Sequence, residues 1–258
     1  MLDNIRIILV QTYHPGNIGA TARAMKTMGL TDLRLVTPRC YPDQEATRMA
    51  TGAIDLLDSA QVHTTLEEAV ADCSCVIGAS ARLRNMPLPH FDEGDAMARE
   101  AIAHARHSNV ALVFGRERFG LTNDEIKLCT HQLSLPTHPE HPILNVSHAV
   151  QLCAYELRNA ARRATPNQSP TSPTDKRHQA PRPTRAQFDH FCAQLEHALQ
   201  LTGFLHLPHA QTGDRLRHIF QRADLSQREL SLLMGALKAL TSRPVHPEAT
   251  ENNGESLK

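Results

Sequence analysis

The stretch IRIILVQTYHPGNIGATARAMKTMGLTDLRLV, residues 5–36, reads as strand, turn, helix, turn and strand. Ile5–Val10 is a short, almost wholly apolar run, as expected of a strand buried on both faces. Ile18, Ala22, Met25 and Met28 then recur at near-helical spacing, which predicts a helix over Ile18–Met28 with one buried face. Asn17 is placed to cap its first turn, and Gly29 to end it in a left-handed residue. Leu33–Val36 begins a second strand. Strands joined through a helix run parallel, and a parallel sheet needs helices on both faces.

The same alternation continues to residue 163. Further strands are expected at Cys75–Gly78, Val110–Gly115 and Leu133–Leu135. Helices are expected at Glu45–Leu57, Leu66–Asp72, Asp95–His107, Asn123–Cys129 and Leu144–Arg163. Residues 1–163 therefore predict one α/β domain. Composition then changes: ATPNQSPTSPTDKRHQAPRP, residues 164–183, carries five prolines and almost no apolar side chain, the signature of a linker. Residues 184–240 turn helical again. Phe188, Phe191, Leu195, Leu199 and Leu201 mark one helix, Leu216, Ile219 and Phe220 a second, and Leu230, Leu233, Leu237 and Leu240 a third. Ser226 and Glu229 have capping-box spacing before the third. A helical piece this small has a marginal core of its own, so it is expected to pack on the first domain or on a second subunit. Residues 241–258 read as a frayed tail.

The whole chain has 258 residues, 41% of them hydrophobic, which is enough for a buried core. Its 27 basic and 27 acidic residues balance, excluding a protein that coats nucleic acid by bulk charge but not one with a local basic face. No apolar run approaches the ~18 residues needed to span a bilayer. Asp3 and Arg6 bracket the first apolar run without a small-residue cleavage site, so it reads as a strand and not a signal peptide. The six cysteines, at 40, 73, 75, 129, 153 and 192, include no CxxC pair, which argues against a zinc site or a disulfide framework. A soluble, cytoplasmic protein with no membrane segment and no metal is expected.

Three segments following strand ends carry residues that packing alone does not require. In Asn17-Ile18-Gly19-Ala20-Thr21-Ala22-Arg23, Arg23 lies one helical turn beyond a small residue whose backbone could be approached, although a plain surface arginine fits as well. In Gly115-Arg116-Glu117-Arg118-Phe119-Gly120, a buried strand runs directly into charges flanked by glycines, which is also what an ordinary βα turn can look like. In Pro136-Thr137-His138-Pro139-Glu140-His141-Pro142-Ile143-Leu144-Asn145-Val146-Ser147, three prolines stiffen a loop that ends at a helix start. His138 and His141 have no third ligand at suitable spacing. There is no GxGxxG after the first strand and no GxxxxGK[ST], which argues against a dinucleotide-dependent oxidoreductase and a P-loop enzyme.

In this order, N-x-G-x-x-x-R, G-x-E-x-x-G and L-N-V-S before a long helix, the three segments resemble the motifs of the SPOUT superfamily of RNA methyltransferases. The resemblance is closest to its branch of tRNA (cytidine/uridine-2′-O)-methyltransferases acting at anticodon-loop position 32. It extends over the first domain, including Met1–Val10, ARAMKTMGL at Ala22–Leu30, and Ala111–Asn123, and more weakly into Leu201–Leu205.

The resemblance implies a parallel sheet with helices on both faces, a C-terminal trefoil knot holding S-adenosylmethionine, and a homodimer with sites near the subunit interface. It implies donor contacts at Ala79, Ser80, Ala81, Gly115, Leu135, Ile143, Leu144 and Asn145, with Gly115 leaving room for the adenine. Arg23 is implied as the catalytic group, positioned by Asn17 and Glu117. Because arginine stays protonated, it is better suited to hold a phosphate and stabilise the developing 2′-oxyanion than to act as a general base. Relatives often have Ser where this chain has Ile143; Ser147 or the backbone is the expected substitute. Arg82, Arg84, Arg116, Arg118, Arg215, Arg217 and Arg222 are candidate tRNA contacts. The other readings are a ribosomal RNA 2′-O-methyltransferase, disfavoured by the helical extension, and a non-catalytic RNA-binding protein on the same scaffold, disfavoured by Arg23 and Gly115.

Overall fold

The computed structural model describes residues 1–80, 88–164, 181–205 and 210–241. Seven strands form one sheet: β1 (Ile5–Val10), β2 (Asp32–Val36), β3 (Gln61–His63), β4 (Cys73–Ala79), β5 (His90–Phe91), β6 (Asn109–Phe114) and β7 (His131–Leu133). Their order is β3-β2-β1-β6-β4-β7-β5, and every pairing is parallel. All strands therefore point their C-terminal ends to one edge, and every loop leaving a strand opens there.

The helices are α1 (Pro15–Met28), α2 (Gln44–Ala50), α3 (Ile54–Asp58), α4 (Leu66–Val70), α5 (Gly94–Ala105), α6 (Asn123–Lys127), α7 (Val146–Arg163), α8 (Arg185–Leu201), α9 (Ala210–Arg222) and α10 (Gln227–Thr241). β1 shows how the layers arise. Its six residues are all buried, and Ile5, Ile7 and Leu9 join the core under α1, α2, α5 and α7, while Ile8 and Val10 join that under α4 and α6. Arg6 is the polar exception in this strand. Its guanidinium forks onto Asp72 at 2.5 and 2.9 Å and reaches Asp32 at 3.2 Å, at the sheet edge opposite the motif loops.

Several boundaries differ from those expected. The helix after β1 begins at Pro15, with His14 at the cap position, so Asn17 lies inside the first turn and its side chain is free for other work. Gly29 does end the helix, at φ 81°. The single helix expected over Glu45–Leu57 is broken: Thr51 takes φ 50°, and a 3₁₀ turn at Thr51–Ala53 separates α2 from α3. The last core strand is His131–Leu133, not Leu133–Leu135, and α7 starts two residues later than expected, capped by Asn145. β3 and β5 are three- and two-residue edge strands that no apolar run announced.

The C-terminal helices dock on the first domain. The Arg185 guanidinium, 4% exposed as a residue, donates to the Lys127 carbonyl at 3.1 Å and to Asp189 at 3.2 Å. Gln221 donates to the Cys129 carbonyl at 2.6 Å, and the Ala186 N–H to the Ala71 carbonyl at 3.0 Å. Phe188, Phe191, Cys192 and Leu230 form a small core of their own. Ser226 and Glu229 close the expected capping box. Most of the 164–183 linker and nearly all of the 241–258 tail lie outside the described residues.

Candidate active site

The three motif segments meet at the C-terminal edge of the sheet, joined by a chain of side-chain hydrogen bonds. Asn17 Nδ2 donates to Glu117 Oε1 at 3.0 Å, and Asn145 Nδ2 donates to Asn17 Oδ1 at 3.0 Å. Asn145 Oδ1 in turn accepts from the Ser147 N–H at 2.9 Å and the Ser147 hydroxyl at 2.7 Å. One residue from each motif thus fixes the next. The Glu117 carboxylate also accepts from the Tyr13 and His14 N–H groups at 3.0–3.1 Å, so it fills the positive N-terminus of α1. This is why Asn17 does not cap its own helix: a carboxylate from a loop 100 residues later does so.

Behind this chain lies a cavity of about 240 Å³ over the ends of β4, β6 and β7. Ala79, Ser80, Gly115, Leu135, Ile143 and Leu144 line it, as six of the eight expected donor contacts. Asn145 stands beside it in the hydrogen-bond chain, and Ala81 lies outside the described residues, as do Arg82 and Arg84. Phe114, Leu133, Thr137 and Pro142 also line the cavity and were not foreseen. The first two are last residues of strands, a position that marks the ligand edge of any parallel sheet. The proline loop closes on itself through Thr137, whose hydroxyl donates to the Pro142 carbonyl at 3.1 Å. Among the described residues no group of three or more His, Cys, Asp or Glu could hold a metal ion.

Two glycines of the motif segments also lie against backbone. A Cβ on Gly115 would meet the Gly120 carbonyl carbon at 2.1 Å, so this glycine lets the 116–120 turn fold back, closed by paired backbone hydrogen bonds between Arg116 and Gly120. A Cβ on Gly19 would sit 2.0 Å from the Ala46 carbonyl oxygen; Gly19 is the contact where α1 and α2 touch backbone to backbone. Ser147 donates its hydroxyl to Asn145 and is not among the residues lining the cavity. Ile143 itself is 65% exposed at the cavity mouth.

The arginines divide by surroundings. Arg116 forks onto Glu125 at 2.9 Å through both terminal nitrogens and donates from Nε to Gln11 at 2.8 Å. Although burial opposes it, this fork holds the Glu125 carboxyl below the usual range. Arg217 is half-buried and pairs with Asp189, and burial lowers its pKa to about 10. Arg118, Arg215, Arg222 and Arg23 are exposed. Arg23 lines neither the cavity nor the cleft beside it.

A parallel α/β sheet with an open-mouthed cavity and a three-motif hydrogen-bond chain at its C-terminal edge is the arrangement of one class of RNA-modifying proteins. The chain belongs to the SpoU rRNA methylase family, whose model matches residues 4–155. Within that family it falls with the TrmJ proteins: the model of the tRNA methyltransferase TrmJ C-terminal domain matches residues 186–252. It is 42% identical over 261 residues to the tRNA (cytidine/uridine-2′-O-)-methyltransferase TrmJ of Yersinia enterocolitica, covering 99% of this chain and 100% of the relative. The crystal structure of TrmJ from Z. mobilis ZM4 superposes with a TM-score of 0.76 at 32% identity, covering 92% of this chain and 98% of that one. A probable methylase family protein from Haemophilus influenzae Rd KW20 gives 0.62 at 39% identity, covering 93% and 97%.

Proposed function

We propose that the protein is an S-adenosylmethionine-dependent tRNA ribose methyltransferase, forming 2′-O-methylcytidine and 2′-O-methyluridine at anticodon-loop position 32, as a cytoplasmic homodimer. The observation that carries this reading is the Glu117–Asn17–Asn145–Ser147 chain, which ties the three motif segments together at the mouth of the cavity. No described helix is long and apolar enough to cross a membrane.

The cavity fits the donor's chemistry. Its walls of Ala79, Phe114, Leu133, Leu135 and Leu144 suit a flat heteroaromatic base. When bound, the donor supplies an electrophilic methyl group. The protein's own residues do the rest. The turn at Gly115–Gly120 and the loop at Thr137–Leu144 wall the cavity from opposite sides, which restricts water around the donor. The asparagine chain holds those walls in register, and the ribose 2′-oxygen must come in line with the methyl. As its proton leaves, charge develops on that oxygen, and a fixed guanidinium stabilises it without itself changing protonation.

Arg23 is the guanidinium we assign to this task; Asn17 and Glu117 bond to each other and not to Arg23, so their part is to hold the motif loops around it. Its exposure, away from the cavity of its own subunit, supports a site completed by a second copy of the chain. So do Ile143 at the cavity mouth and Leu152 and Tyr155 on α7, which are 65%, 47% and 52% exposed. We also assign the threading of the segment after β6 into a trefoil knot. In its support, β7 inserts between β4 and β5, and the following loop returns across the sheet edge so that Asn145 reaches Asn17. Residues 184–240 are assigned to tRNA binding and subunit support, with Arg215 and Arg222 exposed on α9 and Arg118 beside the cavity as phosphate contacts. Incubation with labelled donor and bulk tRNA, followed by mapping of 2′-O-methyl sites, tests the proposal. Label confined to C32 or U32 is expected; tRNA left unlabelled, while ribosomal RNA offered in a parallel reaction takes up label, overturns it.

A further inference from the structure

A second cavity, of about 540 Å³, lies across the 116–119 turn from the first, over the ends of β2, β1 and β6. Tyr13 and Phe119 line it with rings 53% and 78% exposed, and Arg39 and Arg118 line it as well. The Arg39 guanidinium stacks on the Tyr13 ring, 3.9 Å from its centre, and the Arg39 N–H donates to the Thr12 carbonyl at 3.1 Å, which pins the two segments together. Neither Arg39 nor Arg118 forms an ion pair among the described residues. The one carboxylate in the cavity wall, Glu117, is already spent on the Tyr13, His14 and Asn17 N–H groups. Gln11 and Thr37, the first residues after β1 and β2, are both held in the left-handed region, at φ 48° and 41°. For residues that are not glycine this conformation costs stability, and such strain gathers at binding sites.

Two exposed rings beside two unpaired guanidinium groups suit an unstacked nucleotide: the rings take a base face and the cations its phosphate. A volume of this size lies within the usual range of ligand pockets, roughly 300–1,000 Å³. We propose that this cavity is a nucleotide subsite for the tRNA loop, in which a base next to the methylated nucleotide stacks on Tyr13 and Phe119 while Arg39 and Arg118 hold its phosphate. The shared 116–119 turn makes this subsite the neighbour of the donor cavity, so one loop of RNA can occupy both. The inference rests on the methyltransferase reading above and adds the place where the flanking nucleotide is held.

The full-length chain tests it through Tyr13→Ala, Tyr13→Phe and Arg39→Gln, none of which removes a donor-cavity residue. Filter binding of tRNA over a range of salt concentrations, calorimetry of S-adenosylmethionine and a thermal melt are measured for each. Tyr13→Ala is expected to weaken tRNA binding about tenfold or more, and Tyr13→Phe to keep wild-type affinity because it keeps the ring. Arg39→Gln is expected to lower the salt-dependence slope by about 0.7, the loss of one single-strand phosphate contact. Donor affinity and the melting midpoint are expected to stay at the wild-type values. Wild-type tRNA affinity and slope in both Tyr13→Ala and Arg39→Gln would overturn the subsite, as would a parallel loss of donor binding or an equal loss in Tyr13→Phe. A wild-type chain that binds no tRNA would instead overturn the methyltransferase reading itself.

Discussion

Asn145 donates a side-chain hydrogen bond to Asn17 at 3.0 Å across 128 residues of sequence. Each asparagine uses both ends of its amide: Asn17 gives to Glu117 and receives from Asn145, and Asn145 gives to Asn17 and receives from Ser147. An amide that donates at one end and accepts at the other is the group that can link such a chain, and neither aspartate nor leucine of similar size can.

The chain acts as a unit, so its losses are expected not to add. Asn17→Ala and Asn145→Ala should each lower kcat/KM by about 10- to 100-fold, and the double variant should be little worse than the poorer single one. Asn145→Ala also removes the cap of α7 and should cost about 1 kcal/mol of stability. Steady-state kinetics on the three variants make the comparison; fully additive losses would show that the two residues work independently.

Gly19→Ala forces a methyl group into the Ala46 carbonyl, where only backbone movement can make room. Overpacking of this kind costs about 1–3 kcal/mol, and here the upper end is expected, with the melting midpoint falling by roughly 5 °C or more. Gly52→Ala is the control, since nothing lies within 4 Å of its added Cβ. A melt in which both variants match the wild type would remove the close α1–α2 contact from the account.

The sheet was legible wherever strands are buried on both faces, because a short apolar run such as Ile5–Val10 has few other readings. β3 and β5 were not, because edge strands of two or three residues owe their pairing to neighbours and carry no periodicity of their own. The break between α2 and α3 was equally silent: Thr51 takes a positive φ of 50°, which a β-branched residue does not announce in sequence. For the site, motif order located the converging segments, and the resemblance supplied six residues of the cavity wall. The reasons behind the residues were less accessible. Gly115 and Gly19 are read from sequence for the room they leave, and each also relieves a backbone contact that no spacing announces; Asn17 is read as a helix cap and a partner of Arg23, and it links two loops. A spacing shows where a residue stands, not which distant atom it meets.

Arg185 is the anchor of the C-terminal helices, and its removal leaves the Lys127 carbonyl without this donor and Asp189 with only Arg217. Arg185→Ala is expected to raise amide exchange across α8–α10 while leaving the sheet protected. Ending the chain after Arg163 should weaken tRNA binding more than donor binding. Hydrogen exchange and paired affinity measurements test this, and unchanged tRNA affinity in the truncated chain would assign the helices another task.

Acid is expected to destabilise the fold in two windows. Burial lowers the His131 pKa from 6.5 to about 4, with His104 adding to the effect, and burial also lowers His63 and His218. Between pH 6.5 and about 4 the unfolded chain therefore binds a proton at His131 that the folded one refuses, and stability falls as pH falls; His63 and His218 act in the same direction. Burial opposes ionisation of Asp72, but the hydrogen bonds from Arg6 and Asn109 outweigh it and hold the carboxyl down to about 2. Its contribution is therefore present above pH 3.8 and lost as pH falls towards 2. Melting midpoints from pH 7.5 to 4.5 should decline, and His131→Gln should flatten that decline. An unchanged slope in this variant would mean that other groups carry it.

Arg23 makes no side-chain hydrogen bond or ion pair among the described residues and is exposed on α1, so its replacement should barely touch stability, within about 0.5 kcal/mol. Donor binding should also survive, since Arg23 does not line the cavity. Arg23→Ala is nonetheless expected to abolish methyl transfer, because the charge developing on the 2′-oxygen then has no fixed cation. Arg23→Lys separates the two tasks given to the guanidinium: a lysine keeps the charge but not the planar fork, so partial tRNA affinity with severely reduced turnover is expected. Mixing Arg23→Ala subunits with subunits damaged only in the donor cavity, for instance by Leu144→Arg, tests whether the site is shared. If Arg23 acts across the interface, the mixed dimer has one complete site, in which the intact cavity of the Arg23→Ala subunit meets the wild-type arginine of the other subunit. Recovery of activity in the mixture is therefore the result expected for an arginine supplied by the partner, whereas no recovery beside active wild-type mixtures would place Arg23 in its own subunit's site.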